Sequence, residues 1–296
     1  MPVSPEILSD LAIFQNAFTN PMTETMIDSD AFRAYELAGW QGAVEAYNDH
    51  FGSLTSQTIG PLLDAVKVEQ NTSLLDLATG PGYVAAAARR RGANVIGVDF
   101  SESMIAKARR LYPEIDFRID DVERLSFSEG EFEAAVMNFG ILHLARPGLA
   151  LYEAWRILRP QGRFGFTAWA NPEEAIGFRL VLRAIEKHGN PSVPLPQGPP
   201  FFLFGDTEEC VRALTASGFA SPEVLRAPMT WKLKSADDLF DAFYKGTART
   251  GGLLRAQSKT SLDAIRAEIQ DAAESYKKDG ILQIPMPAVI ASAVKP

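Results

Sequence analysis

The carboxylate of Asp99 ends the apolar run "VIGVD" just before a helix-compatible stretch, where its oxygens can accept both hydroxyls of a ribose. Further on, "DDVERLSF" sets Asp121, an acceptor for an adenine amino group, beside the Val122 N–H, a donor to a ring nitrogen. An adenine edge needs one acceptor beside one donor, so these residues suit a ligand that contains adenosine. Upstream, "LLDLATGPGYVAAAARR" breaks on a glycine-containing turn and restarts as an alanine-rich helix. Glycine lets backbone approach a ligand closely, and the helix after it points free N–H groups at that ligand. Gly80, Gly82 and Ala85 also fit the dinucleotide fingerprint G-x-G-x-x-[GA], so the turn alone does not select a cofactor. Three histidines, His50, His143 and His188, are available for proton transfer.

These residues need a frame, and the chain supplies one from Leu74 onward. Strand "SLLDLA", helix "VAAAARRR", strand "ANVIGVD", helix "ESMIAKARRLY", strand "EIDFRID" and strand "FEAAVMNF" follow in turn. Short apolar runs alternating with helical periods predict a parallel sheet covered by helices. Met104, Ile105, Ala108 and Leu111 fall on one helical face, with Ser101 as N-cap. Leu151, Trp155 and Leu158 repeat that logic in a helix that stops at "RPQG" before the strand "RFGFTAW".

On either side the texture changes. Residues 1–70 are aromatic and helix-compatible, and are expected to pack over one edge of the sheet. In "NPSVPLPQGPPFFLFGD", five prolines preclude a long regular element and three phenylalanines follow at once. This is an irregular loop pinned by its aromatics, or a wall over a substrate pocket. "SLDAIRAEIQDAAESYKKDG" reads as a helix with Leu262, Ile265, Ile269 and Tyr276 near one face, lysines in its last turn and Gly280 beyond. The terminal "PAVIASAVKP" reads as a last strand inserted into the sheet.

The bulk numbers exclude several classes. The 296 residues, 46% hydrophobic and 22% charged, suit a globular protein with a large core. A net charge of −8 and pI of about 5.1 argue against a nucleic-acid partner. Cys210 is the one cysteine and no Cys/His spacing resembles a zinc site, so neither an internal disulfide nor a structural metal is expected. Glu6 and Asp10 stand where a targeting segment would be basic, and no run approaches the roughly 18 apolar residues of a membrane span. A cytoplasmic location is expected.

Taken together, "LLDLATGPG", "VIGVDFSESMIAKA", "IDDVERLSF", "AAVMNFGILHL" and "EAWRILRPQGRFGFTAW" resemble the class I S-adenosylmethionine-dependent methyltransferases. The resemblance is in particular to small-molecule enzymes related to the ubiquinone and menaquinone C-methyltransferases. It covers about residues 40–170 strongly and is looser in "ECVRALTASGFASPEV" and the terminal strand. It implies an α/β fold: a Rossmann-like, seven-stranded, mostly parallel sheet with helices on both faces and an antiparallel last strand. N-terminal helices and a helical and loop cap are added to that core. The division it suggests is 1–70 closing over the cofactor, 71–170 as binding core, 171–260 as cap with a sheet-edge strand, and 261–296 as final helix and strand.

The resemblance also implies S-adenosylmethionine as cofactor, with S-adenosylhomocysteine as product. Asp76 would orient the methionine amino group. Ala78, Gly80 and Gly82 stand in the family's three small positions, with Thr79 among them, and Ala78 departs mildly from glycine. Asp99 would hold the ribose, Phe100 and Met104 would pack on adenine, and Asp121 and Val122 would read the base edge. Asn138, Phe139 and Gly140 would lie beside the sulfonium and the acceptor, while Trp40 and Tyr47 match an aromatic segment that closes over the methionine end. His143 falls where the family places its active-site rim, as a candidate base or a loop histidine; His50 is a second candidate, and His188 is read as structural.

No motif for a nicotinamide site follows the core, and methyl transfer requires no metal. Phe201, Phe202, Phe204, Trp231, Phe240, Phe243 and Tyr244 suggest an apolar or aromatic small-molecule acceptor, or are simply core. A dinucleotide-dependent oxidoreductase and a non-methylating S-adenosylmethionine-fold protein stay open. The acceptor's identity, the atom methylated and the oligomeric state are not readable from the chain.

Overall fold

Strands β1 (Ser73–Leu77), β2 (Asn94–Asp99), β3 (Asp116–Ile119) and β4 (Phe132–Asn138) form where the apolar runs predict them, whereas β5 (Leu158–Trp169) starts earlier than expected and takes in Leu158 and "RPQG", the expected helix end and helix stop. In the computed structural model, which describes residues 28–296, they lie parallel. Leu75 pairs with Ile96 on one side and Ala135 on the other. The last strand, β10 (Ala288–Val294), inserts antiparallel between β5 and β6 (Ala220–Ala227). The order is β3-β2-β1-β4-β5-β10-β6, the seven-stranded sheet the resemblance implies. Between β1 and β4 the order reverses direction, which leaves a crevice at the carboxyl ends of the strands.

The helices that position the crevice residues are α1 (Ser29–His50), the single turn α2 (Gly52–Thr55), α3 (Ile59–Ala65), α4 (Tyr83–Arg90) and α5 (Glu102–Leu111). The Ser101 hydroxyl caps α5 by accepting from Met104 N at 3.3 Å, and Met104, Ile105 and Ala108 are buried as expected. Leu111 is not; it is 41% exposed, because the helix ends there and the chain turns at Tyr112. Then come α6 (Pro147–Ile157), α7 (Ile176–His188), α8 (Thr207–Ala216), α9 (Ala236–Gly246), α10 (Arg249–Arg255) and α11 (Lys259–Ala273).

Two expectations are corrected. The N-terminal helices do not flank a sheet edge: α3 packs on β4, β5 and β10, and α1 lies across the strand ends, touching α5, α9 and α10. Any part of that expectation falling on residues 1–27 lies outside the described residues. The helix α11 stops at Ala273, so Lys277 and Lys278 are not in its last turn. They form β8 (Lys277–Lys278), which pairs with β9 (Ile281–Pro285) through Asp279 and Gly280 at φ 51° and 80°. That is the two-residue turn Asp-Gly favours, since both positions need positive φ. With β7 (Thr230–Leu233), these strands make a separate sheet in the order β7-β9-β8, which periodicity did not foresee.

Helix α1 has two unlike flanks. Toward α9 and α10 it meets backbone closely: a Cβ on Gly39 would stand 2.6 Å from that of Ala248, and one on Gly252 would collide with the Tyr35 hydroxyl. Toward the core it is tied by polar contacts, Lys107 to Glu45 at 2.6 Å and Tyr83 to Asn48 at 2.6 Å among them. Gly39→Val is expected to destabilise the protein by about 1–3 kcal/mol, because the helix must move away. A thermal midpoint unchanged from wild type would show that the two helices do not meet there.

Candidate active site

The carboxyl ends of β1, β2, β4 and β5 open, with α1, onto one cavity of about 1260 Å3 including its mouth. Asp76, near the end of β1, is 1% exposed. Its Oδ2 accepts from the Thr79 hydroxyl at 2.5 Å and Ala85 N at 3.0 Å, while Oδ1 is buried without a partner among the described residues. Burial pushes this carboxyl up to about 7. An unshared carboxylate oxygen beside a cavity is a seat for a cation.

The turn after β1 runs through left-handed backbone at Ala78 (φ 50°), Gly80 (φ 54°) and Gly82 (φ 87°). Nothing stands within 4 Å of where a Gly80 Cβ would be, and its N–H donates to Asp99 Oδ2 at 2.9 Å. Gly82 does not line the cavity. It is small because a Cβ would stand 2.7 Å from the Phe117 ring, so its requirement is packing and φ. Asp99 is buried, accepts from Ser101 N at 2.9 Å through Oδ1, and is pushed by burial up to about 6. Each of its oxygens keeps a lone pair free for another donor.

Phe100, Met104 and Val122 line the same end. Asp121 lines it too, but its Oδ1 accepts from Glu123 N at 3.0 Å and its Oδ2 is ion-paired with Arg33 of α1. Asn138, Phe139 and Gly140 also line the cavity. The amide of Asn138 serves the scaffold: Oδ1 accepts from the Thr58 hydroxyl at 2.8 Å and the Thr167 hydroxyl at 2.7 Å, and Nδ2 donates to Thr55 O at 3.2 Å. Phe139 sits at φ 55° with its ring 4.1 Å from that of Trp169. A non-glycine residue there stores backbone strain, held by the Phe139 N–H donating to Thr167 Oγ1 at 2.9 Å.

His143 lines the cavity from the turn after β4, with Nδ1 2.9 Å from Oε2 of Glu36. Glu36 is fully buried, and the same oxygen accepts from Trp40 Nε1 at 3.1 Å. A carboxylate can only accept, so Nδ1 is the donor, and in the neutral ring the lone pair is on Nε2. Sequence reasoning missed Glu36; the available signal was an acid spaced four residues from both Phe32 and Trp40, on the helix face that is otherwise apolar. Tyr47 lines the cavity and its hydroxyl shares a hydrogen bond with Thr55 Oγ1 at 3.1 Å.

His50 does not line the cavity; its carbonyl accepts from Trp231 Nε1 at 3.2 Å. His188 Nε2 lies 3.0 Å from Glu268, away from the cavity, consistent with a structural role. Of the aromatics suggested for the acceptor, Phe201 alone lines the cavity, beside Phe51, Trp169 and Phe178, which were not singled out. Phe202, Phe204 and Phe243 pack behind that wall, and Trp231 is 1% exposed in the core. Phe240 and Tyr244 stack on one another outside the cavity. Among the described residues there is no cluster able to hold a metal ion, and no helix long and apolar enough to cross a membrane.

Residues 75–166 match the methyltransferase domain family. The demethylmenaquinone methyltransferase of Beutenbergia cavernae is 35% identical over 123 residues, covering 40% of this chain and 51% of the relative. The chain spans about half the length of the curated relatives it matches. The YcgJ protein of Bacillus subtilis superposes with a TM-score of 0.53 at 17% identity, over 80% of this chain and 97% of that one. Phosphoethanolamine N-methyltransferase 2 of Haemonchus contortus, in complex with S-adenosyl-L-methionine, gives 0.54 at 18% identity, over 90% of this chain and 60% of its own. The strand order, the β1 turn and the domain match together define a class I S-adenosylmethionine-dependent methyltransferase domain. Within that class the chain is related to the quinone methyltransferases.

Proposed function

We propose that this chain moves a methyl group from S-adenosylmethionine to a small, apolar or aromatic acceptor by in-line displacement, leaving S-adenosylhomocysteine. The observation that carries this reading is the buried carboxyl of Asp76, whose Oδ1 has no hydrogen-bond partner among the described residues, in the wall of the cavity that Asp99 and Asp121 also line. The residues present fit the cofactor: Asp76 would hold its ammonium group, Asp99 its ribose, Phe100 and Met104 the faces of its adenine, and Asp121 and Val122 the base edge. When bound, it supplies a methyl carbon on a cationic sulfonium that ends as a neutral thioether.

The chain's own contribution is alignment and proton removal. Phe51, Phe139, Trp169, Phe178 and Phe201 wall the acceptor side, so an apolar molecule enters with its water stripped. His143, held by Glu36 with Nε2 free, takes the proton of a hydroxyl or activated carbon as that atom attacks. A small-molecule acceptor and a cytoplasmic site of action follow the same reading.

Two titrations and an assay test it. Calorimetry should show binding of S-adenosylhomocysteine and none of NADH or NADPH. Asp99→Ala should weaken that binding by about 1.5–3 kcal/mol as two charge-assisted hydrogen bonds are lost. Turnover of S-adenosylmethionine across a panel of phenolic and carbon-acid acceptors completes the test; binding with no turnover on any of them would sink the enzymatic reading.

A further inference from the structure

Two arginines line the cavity, and their surroundings treat them differently. Arg33 is matched by the ion-paired Asp121 and by a Glu123 oxygen at 3.9 Å. Arg249, at the start of α10, has no ion-pair partner among the described residues. Its Nη1 donates to Pro199 O at 3.0 Å and, more weakly, to Leu142 O at 3.4 Å. The guanidinium carbon stands 5.2 Å from the Phe32 ring centroid and 5.3 Å from that of Phe201. Its Nε and Nη2 have no hydrogen-bond partner among the described residues and are not fully buried, and the residue lines the cavity.

The carboxylate that acts on it most through space is Glu36, whose Oε2 is shared by His143 and Trp40 and whose Oε1 is buried with no hydrogen-bond partner among the described residues, so neither oxygen bonds the guanidinium. Burial lowers the pKa of Arg249 from the usual guanidinium value by more than Glu36 and Tyr35 raise it, the mark of a cation whose lost water is not made up by its neighbours. A planar fork held beside two rings, with free N–H groups at its edge, is suited to receive a carboxylate side-on.

We propose that Arg249 recognises an acidic group on the acceptor, so that the substrate class is an aromatic carboxylic acid. The inference rests on the methyl-transfer reading for calling this ligand an acceptor. The ring lies against Phe201, Phe178 and Trp169, and the carboxylate lies on the Arg249 fork. Phe201 touches both Arg249 and His143, the latter with ring centroids 5.9 Å apart. The acid group therefore sits close to the atom that gives up its proton, and this side of the cavity discriminates against neutral rings of the same shape.

The test uses 2-naphthoate and 2-naphthamide, matched in size and different in charge, titrated calorimetrically into the full chain with and without S-adenosylhomocysteine. Wild type should prefer the carboxylate at least tenfold. Arg249→Gln should bring the two within about twofold of each other, and Arg249→Lys, which keeps the charge, should retain a preference. Thermal melts establish that each variant is folded. Equal affinities in wild type, no binding of 2-naphthoate, or a full carboxylate preference in Arg249→Gln overturns the proposal. S-adenosylhomocysteine binding with no carboxylate preference sinks this inference alone, whereas wild type that binds naphthoate but not S-adenosylhomocysteine sinks the methyl-transfer reading.

Discussion

His143→Gln is expected to lower kcat for a hydroxyl acceptor by about 10²–10⁴-fold, while S-adenosylhomocysteine affinity stays within about twofold. Glutamine can still donate to Glu36, so the local packing against Trp40 survives, but it has no lone pair basic enough to take a proton. Glu36→Gln should cause a smaller fall, because the imidazole remains and only its hydrogen placement is lost. Two further readouts separate chemistry from damage. The deficit should sit in kcat with KM little changed, and it should shrink as the acceptor's own acidity rises, since an acceptor already ionised needs no base. A rate unaffected across the acceptor series would make His143 a loop residue that merely hydrogen-bonds α1.

Asp76→Asn is expected to produce opposite effects on affinity and stability. Binding of S-adenosylmethionine should weaken by about 1.5–3 kcal/mol, because the anion facing the ammonium group is gone. The stability of the unliganded protein should become less sensitive to pH. Burial raises the Asp76 carboxyl from 3.8 to about 7, so between those values the folded chain holds a proton that the unfolded chain has released. Wild-type stability therefore falls as pH rises through that window and levels off above it. Each pH unit is worth about 1.4 kcal/mol, so from pH 5 to pH 8 stability should shift in the variant's favour by about 2–3 kcal/mol. Asp99, raised by burial to about 6, adds to the wild-type slope and keeps doing so in the variant. Denaturation at the two pH values measures this, and parallel curves for wild type and variant would show that Asp76 is ionised throughout.

The legible parts of the site were those that local rules dictate. The run "VIGVD" is half-buried at Val95 and Ile96, buried from Gly97 to Asp99, and leads into a capped helix, so the strand end that carries Asp99 could be placed from spacing alone. The β8–β9 turn was missed because "ESYKKDG" continues the composition of a helix, and its Asp-Gly pair has the same residues as a helix stop. Glu36 was missed for another reason. Its burial arises only when α1 is laid over the turn after β4, a contact between residues 107 positions apart that no local pattern encodes. Gly82 shows the converse error: a residue type that suits ligand approach was needed to clear Phe117. The phenylalanine cluster could be seen, but the choice of Phe201 over its neighbours depends on how the proline loop crosses α7.

The unlike flanks of α1 make the cavity's cover respond to ionic strength. On one side the helix is fastened by charges that water reaches: Glu45, 65% exposed, faces Lys107 and Arg110, and Arg33 reaches Asp121 across the cavity. At about 1 M salt the screening length falls to about 3 Å, and such pairs lose most of their attraction. On the other side Gly39 packs closely on Ala248 and Gly252 on the Tyr35 hydroxyl, uncharged contacts that salt does not screen. Salt therefore weakens the flank of α1 that faces α5 and Asp121, and leaves the close packing against α9 and α10 in place.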